Sequence, residues 1–244
     1  MSCNSQSAGL RTLVKNNYAS ITVSVALLSA SVSWQFAGSS AFAKAPLAKG
    51  KGAAAAAVKK VVPPDYYPLA DTYWWKYKGS SGGNNIEFTL KVVGIEKQPD
   101  GRLVYQLDTC GQQVIHDWYV KEKGSVLRLK EHYGDNAKLR INYEPPYCNL
   151  HNPLLVGDKW SWQGKGLMDV SINDQSQVEA EEDVEVPAGK FRAMKVVSNV
   201  QQGPARVVKT YWYAPGLGLI KTKTENNGIV IGTELVDYSF KQNP

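Results

Sequence analysis

The chain carries three motifs twice, in the same order, at offsets of 85, 88 and 94 residues. The first copies are Pro68-Leu69 with Trp75 and Tyr77, Pro99-Asp100-Gly101, and Trp118-Tyr119 with Gly124. The second copies are Pro153-Leu154 with Trp160 and Trp162, Pro187-Ala188-Gly189, and Trp212-Tyr213 with Gly218. Such an internal repeat indicates two related structural units. We expect halves at about 65–152 and 153–241, joined by the proline-rich stretch 144–158.

Turn signals at strand-length spacing indicate that the repeated region is all-β. Polar and apolar residues alternate from Ile86 to Val92, and the Pro99-Asp100-Gly101 turn separates this strand from a return strand at 103–107. Few stretches have a helical period. The sequence therefore predicts a single strongly curved antiparallel sheet, a half-barrel or open barrel of about 11–12 strands with few helices.

Residues 1–43 resemble a secretion signal. Arg11 and Lys15 precede an apolar run from Ile21 to Gly38, and Ala41-Phe42-Ala43 offers small residues to a signal peptidase. A retained membrane anchor is the alternative, but serines interrupt the run, which is short for about 30 Å of hydrocarbon. We expect cleavage near Ala43 and a periplasmic or secreted bacterial protein.

Charge is concentrated near the N-terminus. The formal net charge is +6, but from Asp65 onward the chain has 21 basic and 22 acidic residues, which does not favour nucleic-acid binding. Residues 44–64 form a linker rich in alanine, lysine and proline. The lysines from Lys44 to Lys60 either belong to a solvated tether or make a peripheral contact with anionic lipid.

Removal of the signal would leave two cysteines, Cys110 and Cys148. An even number of cysteines in an oxidising compartment favours a disulfide between them, and two buried free thiols are the alternative.

Several segments resemble a family of uncharacterised bacterial envelope proteins that includes the TapB-like group. The segments are Tyr66-Tyr67-Pro68-Leu69 with Trp75-Lys76-Tyr77, Pro153 to Trp160, Val186 to Ala193, and Tyr211 to Lys221. The resemblance implies an envelope location and the curved half-barrel of the LolA/LolB lipoprotein carriers. It implies no established activity. The chain departs from the carriers in having no clear helical segment to close a lipid cavity.

Candidate reactive groups are sparse. His116 and Asp117 could form half of an acid-base site, or they could be a strand edge facing water. The five acidic residues from Glu179 to Glu185 could collect calcium, but charges on one strand more often protect a sheet edge. No metal-ligand spacing or cofactor motif is evident, so the sequence predicts neither metal nor cofactor.

Aromatic residues are the remaining candidates for binding. Adjacent rings in a strand point to opposite faces, so one packs in the core and the other is available. The candidate ligand-binding residues are Trp74, Trp118, Trp162, Tyr211, Trp212 and Tyr213. For any single ring, core packing is the alternative.

Three functions follow from these patterns. The first is a non-enzymatic exported protein that binds an apolar, lipid-like ligand or an envelope protein partner on its curved sheet. The second is an envelope assembly or adhesion module that acts through protein contacts. The third is a hydrolase or isomerase that uses His116 and Asp117.

Overall fold

The structure, a computed structural model, describes residues 62–240. The predicted signal, 1–43, and most of the predicted linker lie outside these residues. The twelve strands are β1 (Trp74–Ser81), β2 (Asn84–Lys97), β3 (Leu103–Cys110), β4 (Val114–Glu122), β5 (Ser125–Tyr133), β6 (Arg140–His151), β7 (Lys159–Lys165), β8 (Ser171–Val186), β9 (Gly189–Gln202), β10 (Ala205–Ala214), β11 (Gly218–Asn226) and β12 (Ile229–Tyr238). The 3-10 turn Leu167–Asp169, which follows β7, is the single helical element in residues 62–240. Within residues 62–240, no helix is both long and apolar enough to cross a membrane.

All twelve strands belong to one antiparallel sheet. Its order is β6-β5-β4-β3-β2-β1-β12-β11-β10-β9-β8-β7, so every pair except β1 and β12 joins strands that follow each other in the sequence. Because β1 pairs with β12, the sheet continues without a break from the first half of the chain into the second. A sheet of this size relieves its twist by curling. The fold confirms the predicted curved antiparallel sheet of twelve strands.

The sheet is nearly closed where its two edge strands, β6 and β7, come together. The contacts across this seam involve side chains: Trp162 Nε1 donates to the carbonyl oxygen of Pro145 at 3.0 Å, and the ring of Trp162 lies 4.9 Å from that of Tyr147. The rings of His151 and Trp160 are 4.9 Å apart. Aromatic packing thus joins two strands that the hydrogen-bonded ladder leaves at opposite ends of the sheet.

The two halves of the chain have the same plan of six strands. Both predicted Pro-x-Gly turns separate a long strand from its partner, at β2–β3 and at β8–β9. The register shifts also recur: one follows Val92 in β2 and Val178 in β8, and another follows Trp118 in β4 and Trp212 in β10. A β-bulge bends its strand. Equivalent bulges therefore occur at two equivalent places in the halves.

The interior is apolar towards one end of the curled sheet. We call this the plugged end; it carries the turns after β2, β4, β6, β8 and β10. Leu107, Leu150, Ile220 and Leu235 are fully buried there. Each such side chain stabilises the fold by about 1.5–3 kcal/mol through burial. The opposite end, with the turns after the odd-numbered strands, is the far end.

The segment before β1 covers the plugged end. Asp65 accepts hydrogen bonds from Lys121 Nζ and Asn152 Nδ2, both at 2.7 Å, and its carbonyl oxygen accepts from the backbone N–H of Gly216 at 2.7 Å. The ring of Tyr67 lies 5.4 Å from that of Tyr119 inside the sheet. The segment before β1 therefore closes the interior at this end.

Two expectations for the middle of the chain need correction. The stretch 144–158 is not wholly a connection, because β6 continues through Pro145 and Pro146 to His151. Pro is tolerated there because β6 is an edge strand.

The predicted disulfide between Cys110 and Cys148 is also wrong, since Cys148 is a free thiol. Cys110 ends β3 and Cys148 lies in β6, so β4 and β5 separate them by about 14 Å at ordinary strand spacing. They also lie at different heights, because Cys110 pairs with Val114 whereas Cys148 pairs with Leu127. A disulfide needs Cα atoms within about 7 Å.

Candidate functional site

A cluster of charged side chains lies inside the sheet on β4 and β5. Arg128 Nη1 donates to Glu131 Oε2 at 2.7 Å and to Asp117 Oδ1 at 3.3 Å. Asp117 and Glu131 lie directly opposite each other in the β4–β5 ladder, and they are only 7% and 6% exposed. One guanidinium therefore bridges two buried carboxylates. We call Asp117, Arg128 and Glu131 the charge cluster.

Tyrosine rings surround the guanidinium of Arg128. Its Cζ atom lies 5.1 Å from the ring centre of Tyr147, 5.3 Å from Tyr143 and 6.0 Å from Tyr119. The hydroxyl of Tyr143 donates to Glu131 Oε2 at 2.6 Å. Cation–π contact and hydrogen bonding together offset the cost of burying the charges.

The two carboxylates of the cluster titrate differently. Burial raises the pKa of Asp117 to about 6; Arg128 opposes this rise and Glu131 adds to it. Burial also acts to raise the pKa of Glu131, but Arg128 and the hydroxyls of Tyr133 and Tyr143 outweigh it, and the net shift is downward. Glu131 is thus the carboxylate that holds the negative charge, and Asp117 is the one poised to take up a proton.

The charge cluster borders a cavity of about 230 Å³ near the far end. Strands of both halves line it: Arg128 and Glu131 come from β5, Tyr143 and Tyr147 from β6, and Asp174 and Lys209 from β8 and β10. Leu167, in the 3-10 turn, lies at its rim. The cavity spans the inside of the seam, so both halves of the chain are needed to form it.

His116 and Asp117 do not form the acid-base pair that the sequence suggested. As neighbours in β4 their side chains point to opposite faces. Asp117 contacts Arg128 inside the sheet, whereas His116 Nδ1 lies 2.7 Å from Asp108 Oδ1. His132, directly opposite His116 in the ladder, shares this outer face.

A groove of about 850 Å³ crosses the outer face of β2, β1, β12, β11 and β10. Its floor lies where Gly79 and Gly232 approach so closely that a Cβ on Gly79 would overlap the Gly232 carbonyl. Trp212 forms part of its wall, where its Nε1 donates to Glu182 Oε1 at 2.6 Å and Lys221 Nζ lies 5.8 Å from its ring centre. We call this surface the outer groove.

The six aromatic residues predicted to bind a ligand do not converge on one surface. Tyr211 and Tyr213 face the interior, where their rings are 6.1 Å apart. Trp162 is buried at the seam beside the cavity. Trp74 and Trp118 are half-buried outside the core, and the ring of Trp118 lies tilted against that of His132, with 4.7 Å between the ring centres. Trp212 lines the outer groove.

The acidic residues of β8 are paired with cations of β9. Lys195 Nζ lies 2.8 Å from Glu179, and Arg192 lies within 3.5 Å of both Glu181 and Asp183. No group of side chains in residues 62–240 is arranged to hold a metal ion. This part of β8 extends beyond its ladder with β7, which ends at Gln177, so the charges line a locally exposed strand edge.

The charge cluster was missed in the sequence because a bulge hides it. Arg128 and Glu131 are three residues apart, a spacing that puts two side chains of a regular strand on opposite faces. A register shift between Arg128 and Lys130 turns Glu131 to the same face as Arg128. In the sequence, Leu127 and Leu129 flank Arg128, and Lys130 comes directly before Glu131. This order contains no alternation that would place Arg128 and Glu131 on one face.

Comparison with known families and structures gives limited matches. Residues 159–235, which run from β7 into β12, match a family model described as DUF3108-like. This is less than half of the chain but nearly the whole second half of the sheet. The match agrees with the broader part of the resemblance, a domain of unknown function, and does not extend to the TapB-like group or the LolA/LolB carriers.

Two crystal structures are similar at low identity. One is a predicted lipoprotein from Parabacteroides distasonis, with 16% identity and a TM-score of 0.44, covering 73% of this chain and all of that one. The other is a predicted exported protein with a YmcC-like fold from Bacteroides fragilis, with 15% identity and a TM-score of 0.45, covering 72% of this chain and all of that one. Neither likeness is close enough to assign an activity. No curated protein matches the chain.

Proposed function

We propose that this chain is a non-enzymatic exported protein of the bacterial envelope that binds a protein partner in the outer groove. The N-terminal pattern, with Arg11 and Lys15 before an apolar run and Ala41-Phe42-Ala43 after it, supports export. The opposite orientations of His116 and Asp117 weigh against the hydrolase alternative.

The volumes of the interior cavity and the outer groove decide which surface we propose. The concave face of the sheet is filled by its own core, and the interior cavity, at about 230 Å³, is smaller than the 300–1,000 Å³ typical of ligand pockets. A lipid-like ligand therefore has little room inside. The outer groove, at about 850 Å³, is larger and lies on the surface, where a protein partner can reach it.

Trp212 is the anchor of the proposed contact. Tryptophan is enriched among the residues that dominate binding energies at interfaces. The hydrogen bond to Glu182 fixes the orientation of the ring, and Val230, 47% exposed, adds apolar surface to the groove. Lys78 and Glu234 add charge of both signs. An apolar anchor with a charged surround is the usual anatomy of a protein interface.

Crosslinking in the native envelope tests this proposal, with Trp118 as the matched control. Trp118 has the equivalent place in the first half but lies outside the outer groove. A photoreactive residue at position 230 should give a discrete crosslinked protein, and Trp212→Ala should reduce that product at least tenfold while Trp118→Ala leaves it unchanged. Equal crosslinking in Trp212→Ala and the parent, or no product at all, would overturn the proposal.

A further inference from the structure

The interior cavity contains hydrogen-bond donors that the protein does not use. Arg128 Nε is buried and has no partner among residues 62–240, although the same guanidinium binds Asp117 and Glu131 through Nη1. A buried donor without an acceptor costs about 1–3 kcal/mol. This cost is removed when an acceptor occupies the space beside Nε.

Lys209 is the second unused donor. Its side chain lines the same cavity from β10, and its ammonium group makes no hydrogen bond or ion pair within the described part of the chain. Its positive charge contributes to lowering the pKa of Glu131, so it lies within electrostatic reach of the charge cluster. Two cationic groups thus face one small space.

The carboxylates of the cavity, in contrast, are already engaged. Glu131 accepts from Arg128 and from the hydroxyl of Tyr143. Asp174 accepts from the hydroxyls of Tyr147 and Ser176. The unused charged groups of the cavity are therefore the donors Arg128 Nε and Lys209 Nζ, and a ligand that satisfies them must present acceptors.

We propose that the interior cavity binds a small anion, a carboxylate or a phosphate group, between Arg128 and Lys209. Arginine suits this role because its planar guanidinium binds such groups through several N–H donors. A volume of about 230 Å³ admits a group of this size but not a large ligand. The site does not depend on the outer groove or on a protein partner, so it extends the function proposed above.

The experiment measures thermal unfolding and calorimetric binding with sodium phosphate and with sodium acetate, each against sodium chloride at equal ionic strength. A ligand that binds only the folded state raises the melting temperature in proportion to RT ln(1 + [L]/Kd). Phosphate or acetate should raise the melting temperature above the chloride control in a saturable way. Whichever of the two binds identifies the anion as a phosphate or a carboxylate.

Variants at Lys209 separate binding from folding. Lys209→Met should weaken binding of the anion at least tenfold, and Lys209→Arg should retain it, because neither change breaks a hydrogen bond or ion pair within residues 62–240. Lys78→Met, a change in the outer groove, is the control and should bind normally. Equal melting temperatures in phosphate, acetate and chloride, or unchanged binding in Lys209→Met, would overturn the inference without affecting the proposal for the outer groove.

Discussion

The hairpins β4–β5 and β10–β11 are the same structure built with different interiors. Each contains a Trp-Tyr pair with a register shift between the two rings. Each also places a lysine opposite the tryptophan: Lys130 Nζ lies 4.2 Å from the ring centre of Trp118, and Lys221 Nζ lies 5.8 Å from that of Trp212. The outer faces of the two hairpins are therefore alike.

Their inner faces differ at three equivalent positions. The first hairpin pairs Asp117 with Glu131 and Tyr119 with Arg128. The second pairs Tyr211 with Thr222 and Tyr213 with Leu219. The second half thus forms the bulged hairpin without any of the three charges. Because buried ion pairs often add no stability over apolar residues, the fold does not explain the charge cluster. The anion binding that we propose for the cavity would explain why the three charges are there.

The largest effect should come from removing one member of the cluster. Arg128→Leu puts into the first hairpin the residue that the second has at this position. It leaves Asp117 and Glu131 buried without their cation, and such a loss costs about 3–5 kcal/mol. Denaturant unfolding should show this loss in the free energy of unfolding.

The control is the triple variant Asp117→Tyr, Arg128→Leu and Glu131→Thr, which copies the second hairpin. With no charge left unpaired, it should be more stable than Arg128→Leu by about 2 kcal/mol or more. A triple variant no more stable than the single variant would mean that the charges are needed for the fold of the first hairpin.

A smaller effect should come from the titration of Asp117. Its pKa is raised to about 6 in the folded state, from 3.8, so between these values the folded protein holds a proton that the unfolded chain has released. The stability that this group contributes is present at low pH and is lost as the pH rises through 6. Asp117→Asn should therefore be more stable than the parent at pH 7, by on the order of 1–3 kcal/mol.

The difference between Asp117→Asn and the parent should shrink as the pH falls from 7 to 5. The comparison stays above pH 5 because Glu131, whose pKa is lowered, begins to lose its own contribution below its ordinary value of 4.5. Unfolding curves of both proteins at several pH values provide the measurement. A difference independent of pH would mean that Asp117 is ionised throughout this range.

The same comparison shows how far the sequence could predict this molecule. Turn chemistry and repeat spacing predicted about 11–12 strands in two related halves, because Pro-x-Gly turns and alternating residues act locally. The cavity depends on the seam and on the bulge between Arg128 and Lys130, which changes the face of Glu131. Bulges and seams are set by pairing between distant strands, and no local pattern in one sequence encodes them. The disulfide prediction failed for the same reason. It rested on an even number of cysteines, and that number does not show how many strands lie between the two thiols.

The smallest effect concerns the outer faces, where the two hairpins are alike. A lysine above a tryptophan ring contributes about 0.5–1 kcal/mol at a partly exposed site, and the attraction weakens with distance. Lys130→Met should therefore reduce the free energy of unfolding by more than Lys221→Met, because Lys130 lies 1.6 Å nearer to its ring. Both losses should stay below about 1 kcal/mol in denaturant unfolding. Lys221 Nζ also lies 2.8 Å from Glu234 Oε1, but a surface ion pair of this kind contributes little. A loss at Lys221 larger than that at Lys130 would show that this ion pair contributes more than the contact of Lys130 with its ring.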